Sequence, residues 1–185
     1  MRRGIVLAAA LVALGAAPAE RPCVSGPKEG QRPGPYSFVM CTGEQRGKSH
    51  CYICETADRP AVIVFARSMS APLAKLVAGL DKGLAEHKKS ELRAWVTLLH
   101  DDQSAIDADV LKWAKKHGIK SVPVGVFEDA DGPPSYKLAR DADVTVLMSV
   151  KQKVVVNRAF RAKELTNDKV AEMLKQLPKI LPAKK

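Results

Sequence analysis

Two patterns of apolar residues alternate along the chain and predict alternating strands and helices. Continuous β-branched runs, which are typical of strands covered on both faces, occupy residues 61–67, 92–100, 144–150 and 154–160, and another strand begins near Val122. Apolar positions three and four residues apart predict helices from Pro72, from Asp107 and over about residues 168–179. This alternation predicts an α/β fold with a central mixed, mostly parallel sheet flanked by helices.

Two shorter β-prone runs precede the first buried strand. They are YSFVMC at residues 36–41 and SHCYIC at residues 49–54, separated by TGEQRGK with two glycines. Glycines between two such runs favour a turn, so the sequence predicts an N-terminal β-hairpin with a longer loop.

The first residues predict an export signal. A positively charged start leads into an apolar run and a small-residue Ala17-Pro18-Ala19 ending. The run is shorter than the roughly 20 residues that a spanning helix requires, and no later segment approaches that length. We therefore expect cleavage after residue 19, a periplasmic or secreted location, and no membrane span in the mature chain.

The remaining chain is long enough for one domain with its own core. Residues 20–35 are rich in Pro, Gly and charge and predict a flexible lead-in. The domain itself is expected over residues 36–181, followed by a basic tail at residues 182–185.

The formal net charge is +10 at pH 7, but the lysines and arginines are scattered and aromatic residues make up 5% of the sequence. A platform for nucleic acid needs clustered cations interleaved with aromatic side chains. We interpret the charge as a solvated basic surface and expect no nucleic-acid partner.

Strand 61–67 leads into RSMSAP at residues 67–72, which contains the pattern Ser68-x-x-Ala71-Pro72. This pattern and the element order resemble the thioredoxin-like superfamily, and the peroxiredoxin-type branch in particular. The resemblance implies a thioredoxin-like fold with a reactive cysteine at the position of Ala71. Alanine offers no nucleophile, so ordinary peroxidase activity is not expected, and Ser70 is predicted to cap the next helix.

The four cysteines offer a different source of chemistry. Cys51 and Cys54 form a C-x-x-C motif, Cys41 precedes them, and Cys23 lies in the lead-in. On an extended strand Cys51 and Cys54 would be about 10 Å apart, whereas a disulfide requires Cα atoms within about 7 Å. The pair therefore closes only if the chain turns there, while Cys41 meets Cys51 only if the hairpin register sets them opposite each other.

Three interpretations stay open for these cysteines. The first is thiol-disulfide exchange by Cys51 and Cys54 with Cys41 as a resolving or accessory thiol. The second is zinc or copper binding by Cys41, His50, Cys51 and Cys54, and the third is a structural disulfide.

We adopt exchange as the hypothesis, with no cofactor or resident metal assigned and with protein thiols or disulfides of the cell envelope as partners. The alternative is a non-catalytic binding or scaffold module whose cysteines form a structural disulfide or bind metal.

Overall fold

The computed structural model describes residues 21–183, so the predicted export signal lies outside the described residues. The strands are β1 (Phe38–Met40), β2 (Ser49–His50), β3 (Ala61–Ala66), β4 (Arg93–Leu99), β5 (Val124–Phe127), β6 (Ala142–Val150) and β7 (Lys153–Arg161). The helices are α1 (Tyr52–Thr56), α2 (Ala71–Glu86), α3 (Gln103–Lys116) and α4 (Asn167–Leu174), with short 3₁₀ turns at Lys88–Ser90, Pro134–Tyr136 and Leu177–Lys179. Within these residues no helix is long and apolar enough to cross a membrane.

All strands of the described chain belong to one sheet with the order β2-β1-β5-β4-β3-β6-β7. The central strands β3, β4 and β5 are parallel. Strands β1 and β6 pair antiparallel with β5 and β3, and the edge strands β2 and β7 pair antiparallel with β1 and β6. The predicted α/β class with a mixed sheet flanked by helices is confirmed. The parallel centre follows from the long helical crossovers, because α2 and α3 each return the chain to the same end of the sheet.

The two faces of the sheet carry different cores. Val62, Val64 and Ala66 of β3 join the cluster formed with α2, α3 and α4, which we call the helical face. The alternate residues Ile63 and Phe65 join Tyr36, Phe38, Trp95 and Tyr136 on the opposite side, which we call the aromatic face. Every residue of β3 is buried because both faces are covered, as its continuous apolar run predicts.

Polar atoms on the aromatic face bond to each other. The Tyr36 hydroxyl lies 2.8 Å from Thr97 Oγ1 and accepts a hydrogen bond from Trp95 Nε1 at 2.9 Å. Tyr136 donates to the Gly34 carbonyl at 2.8 Å. These bonds remove the cost of burying the polar ends of large aromatic residues.

Helix α3 begins earlier than the sequence predicts. Asp102, not Asp107, is its N-cap, and its carboxylate accepts a hydrogen bond from the Ala105 N–H at 3.0 Å. The predicted cap of α2 is confirmed, because Ser70 Oγ accepts from the Leu73 N–H at 3.3 Å. The helix is therefore about one turn longer at its N-terminus than the apolar spacing predicts.

The segment predicted as a flexible lead-in makes specific contacts with β7. Asn157 Nδ2 donates to the carbonyls of Ser25 and Pro27, each at 2.8 Å, and Val154 N donates to Gln31 O at 2.9 Å. Ser25 is buried and its hydroxyl bonds to Thr145 at 2.8 Å. Residues 25–31 are therefore held against the sheet by polar contacts that their Pro- and Gly-rich composition does not reveal.

Gly125 of β5 allows β1 to join the sheet. A Cβ atom at Gly125 would overlap the Val39 carbonyl oxygen and would lie 2.7 Å from Phe38 Cδ2. Since Met40 pairs with Gly125 and Val39 with Val126, any side chain here separates β1 from β5. Glycine at position 125 is therefore required for the β1–β5 pairing that joins the N-terminal strands to the sheet.

Gly125→Ala should destabilise the protein by about 3 kcal/mol, because both backbone and ring must shift to relieve the overlap. Urea unfolding followed by circular dichroism measures the change. Gly83→Ala in α2 is the control: its Cβ would meet only side-chain atoms, Leu177 Cδ1 at 3.3 Å and Leu92 Cδ2 at 3.9 Å. Alanine also gains helix propensity, so a change within about 1 kcal/mol is expected. Equal effects of the two substitutions would contradict the role assigned to Gly125.

Candidate active site

The chain turns at Cys51, where β2 ends and α1 begins. Cys51 is the N-cap of α1, and its Sγ accepts a hydrogen bond from the Cys54 N–H at 3.3 Å. This turn brings the two Cα atoms to 5.4 Å, and the sulfurs form a disulfide. The predicted strand at residues 49–54 is therefore wrong beyond His50, since a C-x-x-C pair closes only when the backbone leaves the extended conformation.

Aromatic packing fixes the turn on the sheet. The Tyr52 ring stacks on Trp95 with centroids 5.5 Å apart and lies 5.9 Å from the Phe38 ring. Ile53 also packs against the aromatic face. The residues between the two cysteines thus anchor α1, while Cys54 is exposed and Cys51 is half-buried.

His50 and Glu55 flank the disulfide. His50 Nε2 lies 3.4 Å from Glu55 Oε1, and the imidazole ring packs against Tyr52 at 4.3 Å. Burial raises the pKa of Tyr52, the Glu55 carboxylate raises it further, and the Arg93 guanidinium opposes them. The phenol next to the disulfide therefore stays protonated at neutral pH.

The structure does not bring Cys41 to the other two cysteines. Phe38 pairs with His50 and Val39 with Ser49. Continuing that register sets Ser37, not Cys41, opposite Cys51, so Cys41 lies four residues away along the strand, a separation of about 13 Å. The condition for a direct Cys41–Cys51 contact is not met.

Cys41 also lies on the other side of the sheet. It is fully buried in the core of the helical face, whereas Tyr52 and Ile53 pack on the aromatic face. Burial raises the pKa of the Cys41 thiol to about 11, and the Gln103 amide, whose Nε2 is 3.7 Å from the sulfur, opposes this shift. A protonated, enclosed thiol is inert, and the arrangement does not support the accessory role expected for Cys41.

The proposed metal ligands are likewise not gathered in one place. Within residues 21–183 no group of three or more His, Cys, Asp or Glu side chains is arranged to hold a metal ion. Cys41 is separated from the pair by the sheet, and Cys51 and Cys54 are bonded to each other. Cys23 is half-buried near Asp141 and Arg161, and burial raises the pKa of its thiol.

At the carboxyl end of β3, where the superfamily resemblance places a reactive thiol, Ala71 begins α2. Ser68 donates to Asp143 Oδ2 at 2.8 Å. Arg67, which the sequence analysis did not single out, donates to the carbonyls of Ala130, Ala139 and Ala142. This corner is thus a polar structural junction, and it adjoins a cavity of about 580 Å³.

The cysteine pair lies toward the opposite end of the sheet. Four residues after α1 the chain reaches Pro60, which immediately precedes β3 and whose carbonyl accepts from the Arg93 N–H at 2.9 Å. Tyr52 shares a cavity with Arg93 and Pro123, at the amino ends of β4 and β5. Because β3, β4 and β5 run in the same direction, this region and Ala71 are separated by the length of the strands.

No protein-family model and no curated protein matches the sequence. Solved structures match instead. One is a candidate protein disulfide isomerase from Bacteroides thetaiotaomicron, with a TM-score of 0.63, 18% identity and coverage of 86% of this chain and 94% of that one.

Two further structures represent the branches to which the element order points. A candidate thiol:disulfide interchange protein DsbE from Chlorobium tepidum has a TM-score of 0.54 and 14% identity, covering 81% of this chain and 98% of that one. The peroxidoxin BcpB of Mycobacterium tuberculosis has a TM-score of 0.55 and 18% identity, covering 84% of this chain and 99% of that one. Identities this low establish the fold alone: the chain has a thioredoxin-like fold, and Ala71 stands where the superfamily resemblance implies a cysteine.

Proposed function

We propose that this protein catalyses thiol-disulfide exchange through Cys51 and Cys54. The observation that carries the proposal is the closed Cys51–Cys54 disulfide with one exposed and one half-buried cysteine. An exposed sulfur is open to attack by a second protein, and its bonded neighbour is held in place by Tyr52.

The exposures and the hydrogen bond assign separate roles to the two sulfurs. A substrate thiolate attacks Cys54 Sγ, a substrate–Cys54 disulfide forms, and the Cys51–Cys54 bond breaks with its electron pair on Cys51 Sγ. The Cys54 N–H, which donates to that sulfur at 3.3 Å, stabilises the departing thiolate.

A second substrate thiolate then attacks the substrate sulfur of this mixed disulfide and releases Cys54 as a thiolate. The substrate loses two electrons and becomes a disulfide, while the protein gains them as a dithiol. The reverse sequence reduces a substrate disulfide.

The geometry gives little support to the alternative interpretation, a purely structural disulfide. The disulfide joins residues three apart in sequence. Chain-entropy arguments give a loop of this length about 2 kcal/mol of stabilisation, against roughly 4–5 kcal/mol for a loop of about 100 residues. The bond also connects no two separate elements, so constraint of the fold is a weak reason for its presence.

We further propose that the protein acts after export, in the periplasm or as a secreted protein, on protein thiols or disulfides of the cell envelope. The export-like pattern at residues 1–19 supports this location. Disulfides also persist in compartments beyond the inner membrane, where thiols are not kept reduced.

Cys51→Ser and Cys54→Ser should each lower insulin disulfide reduction by dithiothreitol at least about tenfold, because neither variant can cycle between dithiol and disulfide. Cys23→Ser is the control and should retain activity. Trapping with oxidised glutathione separates the two roles: Cys51→Ser, which keeps the exposed Cys54, should form the mixed disulfide at least about threefold faster than Cys54→Ser. Unchanged reductase activity in both single variants would rule out the exchange function.

Alkylation of the reduced protein should distinguish Cys41 from the exchanging pair. With its pKa near 11, the Cys41 thiol is about one part in a thousand thiolate at pH 8, and it is also enclosed. Iodoacetamide at that pH should modify Cys54 first and leave Cys41 unmodified until urea unfolds the protein, as peptide mass mapping will show. Raising the pH toward 11 should increase the Cys41 thiolate fraction. Modification of Cys41 and Cys54 at equal rates in the folded protein would contradict its burial.

A further inference from the structure

A small cavity adjoins the cysteine turn. Tyr52, which lies between the two cysteines in sequence, forms one wall of a cleft of about 220 Å³. Leu84, Leu92, Ala94 and Pro123 supply apolar walls. Sites for whole small ligands usually measure about 300–1,000 Å³, so this cleft suits a single side chain.

Three polar residues, Arg93, Tyr52 and Ser121, also line this cleft. The Arg93 guanidinium lies close enough to lower the pKa of Tyr52, and neither it nor the two hydroxyl groups has a hydrogen-bond or ion-pair partner among residues 21–183. Arg93 is half-buried, unlike a fully solvated surface arginine. An unpaired cation at the edge of an apolar cleft attracts a carboxylate.

The neighbouring carboxylates are already occupied. Glu91 pairs with Arg59 at 3.7 Å, and Glu55 lies 3.4 Å from His50. Asp81 accepts hydrogen bonds from the backbone N–H groups of residues 120–122. Within the described structure, Arg93 therefore keeps its charge available at the cleft.

We propose that this cleft binds an acidic side chain, glutamate in particular, near the reactive cysteine of a protein substrate. The methylene groups of glutamate pack on Leu92 and Pro123, and its carboxylate pairs with Arg93 and accepts from the Tyr52 hydroxyl. Because Tyr52 belongs to the C-x-x-C turn, a substrate whose sulfur reaches Cys54 presents its neighbouring side chains to the cleft. This inference rests on the proposed exchange function and adds a preference to it.

Peptides with one cysteine test the preference. Four series carry Glu, Gln, Leu or Lys at each of the three positions on either side of the cysteine, and their attack on the oxidised protein is followed by mass spectrometry. Each rate is divided by the rate of the same peptide with a small aromatic disulfide, which removes differences in thiol reactivity. At one position at least, Glu should exceed Gln and Leu by about three- to tenfold, the size expected of one partly buried ion pair.

The effect should disappear in Arg93→Gln and partly return in Arg93→Lys, which keeps the charge without the planar donor geometry. Lys112→Gln is the matched control, because Lys112 is an exposed cation on α3 that is paired with Asp109 and lies outside the cleft. It should keep the full preference. About 1 M salt, where the Debye length is about 3 Å, should reduce the preference in the wild-type protein.

The outcomes separate the two proposals. Equal normalised rates for all peptides, with ready reduction of the wild-type disulfide by dithiothreitol, would overturn the acidic preference and leave exchange intact. Leu peptides reacting as fast as Glu peptides would likewise overturn it, since the cleft would then select apolar bulk alone. A disulfide that resists dithiothreitol and every peptide would remove both proposals.

Discussion

The antiparallel pairing of β1 with β5 is the interaction on which the position of the cysteine pair depends. It exists because Gly125 presents no side chain to Phe38 and Val39. Once β1 lies on the sheet, Phe38 offers part of the surface on which Tyr52 packs, and β2 is aligned beside it. The disulfide joins the N-cap of the five-residue α1 to a residue within it, directly after the two-residue β2. Such short elements are not stable on their own, so the disulfide would otherwise have few contacts to hold it.

The cysteine pair does not lie at the carboxyl end of β3, where the superfamily resemblance implies a reactive cysteine. At the carboxyl end of β3, Arg67 and Ser68 bond to loop carbonyls and to Asp143, so polar groups there serve to join segments. The disulfide of Cys51 and Cys54, at which we propose the sulfur chemistry, lies instead beside the amino ends of the parallel strands. A thioredoxin-like fold therefore does not by itself locate a reactive site, whereas the geometry of the cysteines does indicate one.

Several features were predictable from local patterns. The run AVIVFAR predicts a strand buried on both faces, and β3 is buried throughout because helices cover one side and aromatic residues the other. The apolar spacing after Pro72 predicts α2, and Ser70 caps it as expected. The C-x-x-C spacing made Cys51 and Cys54 one of two possible pairs, on the condition that the chain turns between them, and the structure meets that condition. Two local predictions failed: α3 begins after Asp102 and not at Asp107, and SHCYIC leaves the strand after His50 and enters a helical turn.

The sequence by itself determined the α/β class and the order of the central strands and long helices, because hydrophobic period is a local property of the chain. It left Cys51–Cys54 and Cys41–Cys51 both open as pairs. Only the tertiary structure decided that Cys41 lies across the sheet from the pair, that residues 25–31 contact β7, and that Arg93 faces Tyr52. These relations depend on strand register and on which face of a sheet a side chain occupies. A shift of one residue reverses the face, and no pattern within a single strand specifies the register it adopts with its neighbour.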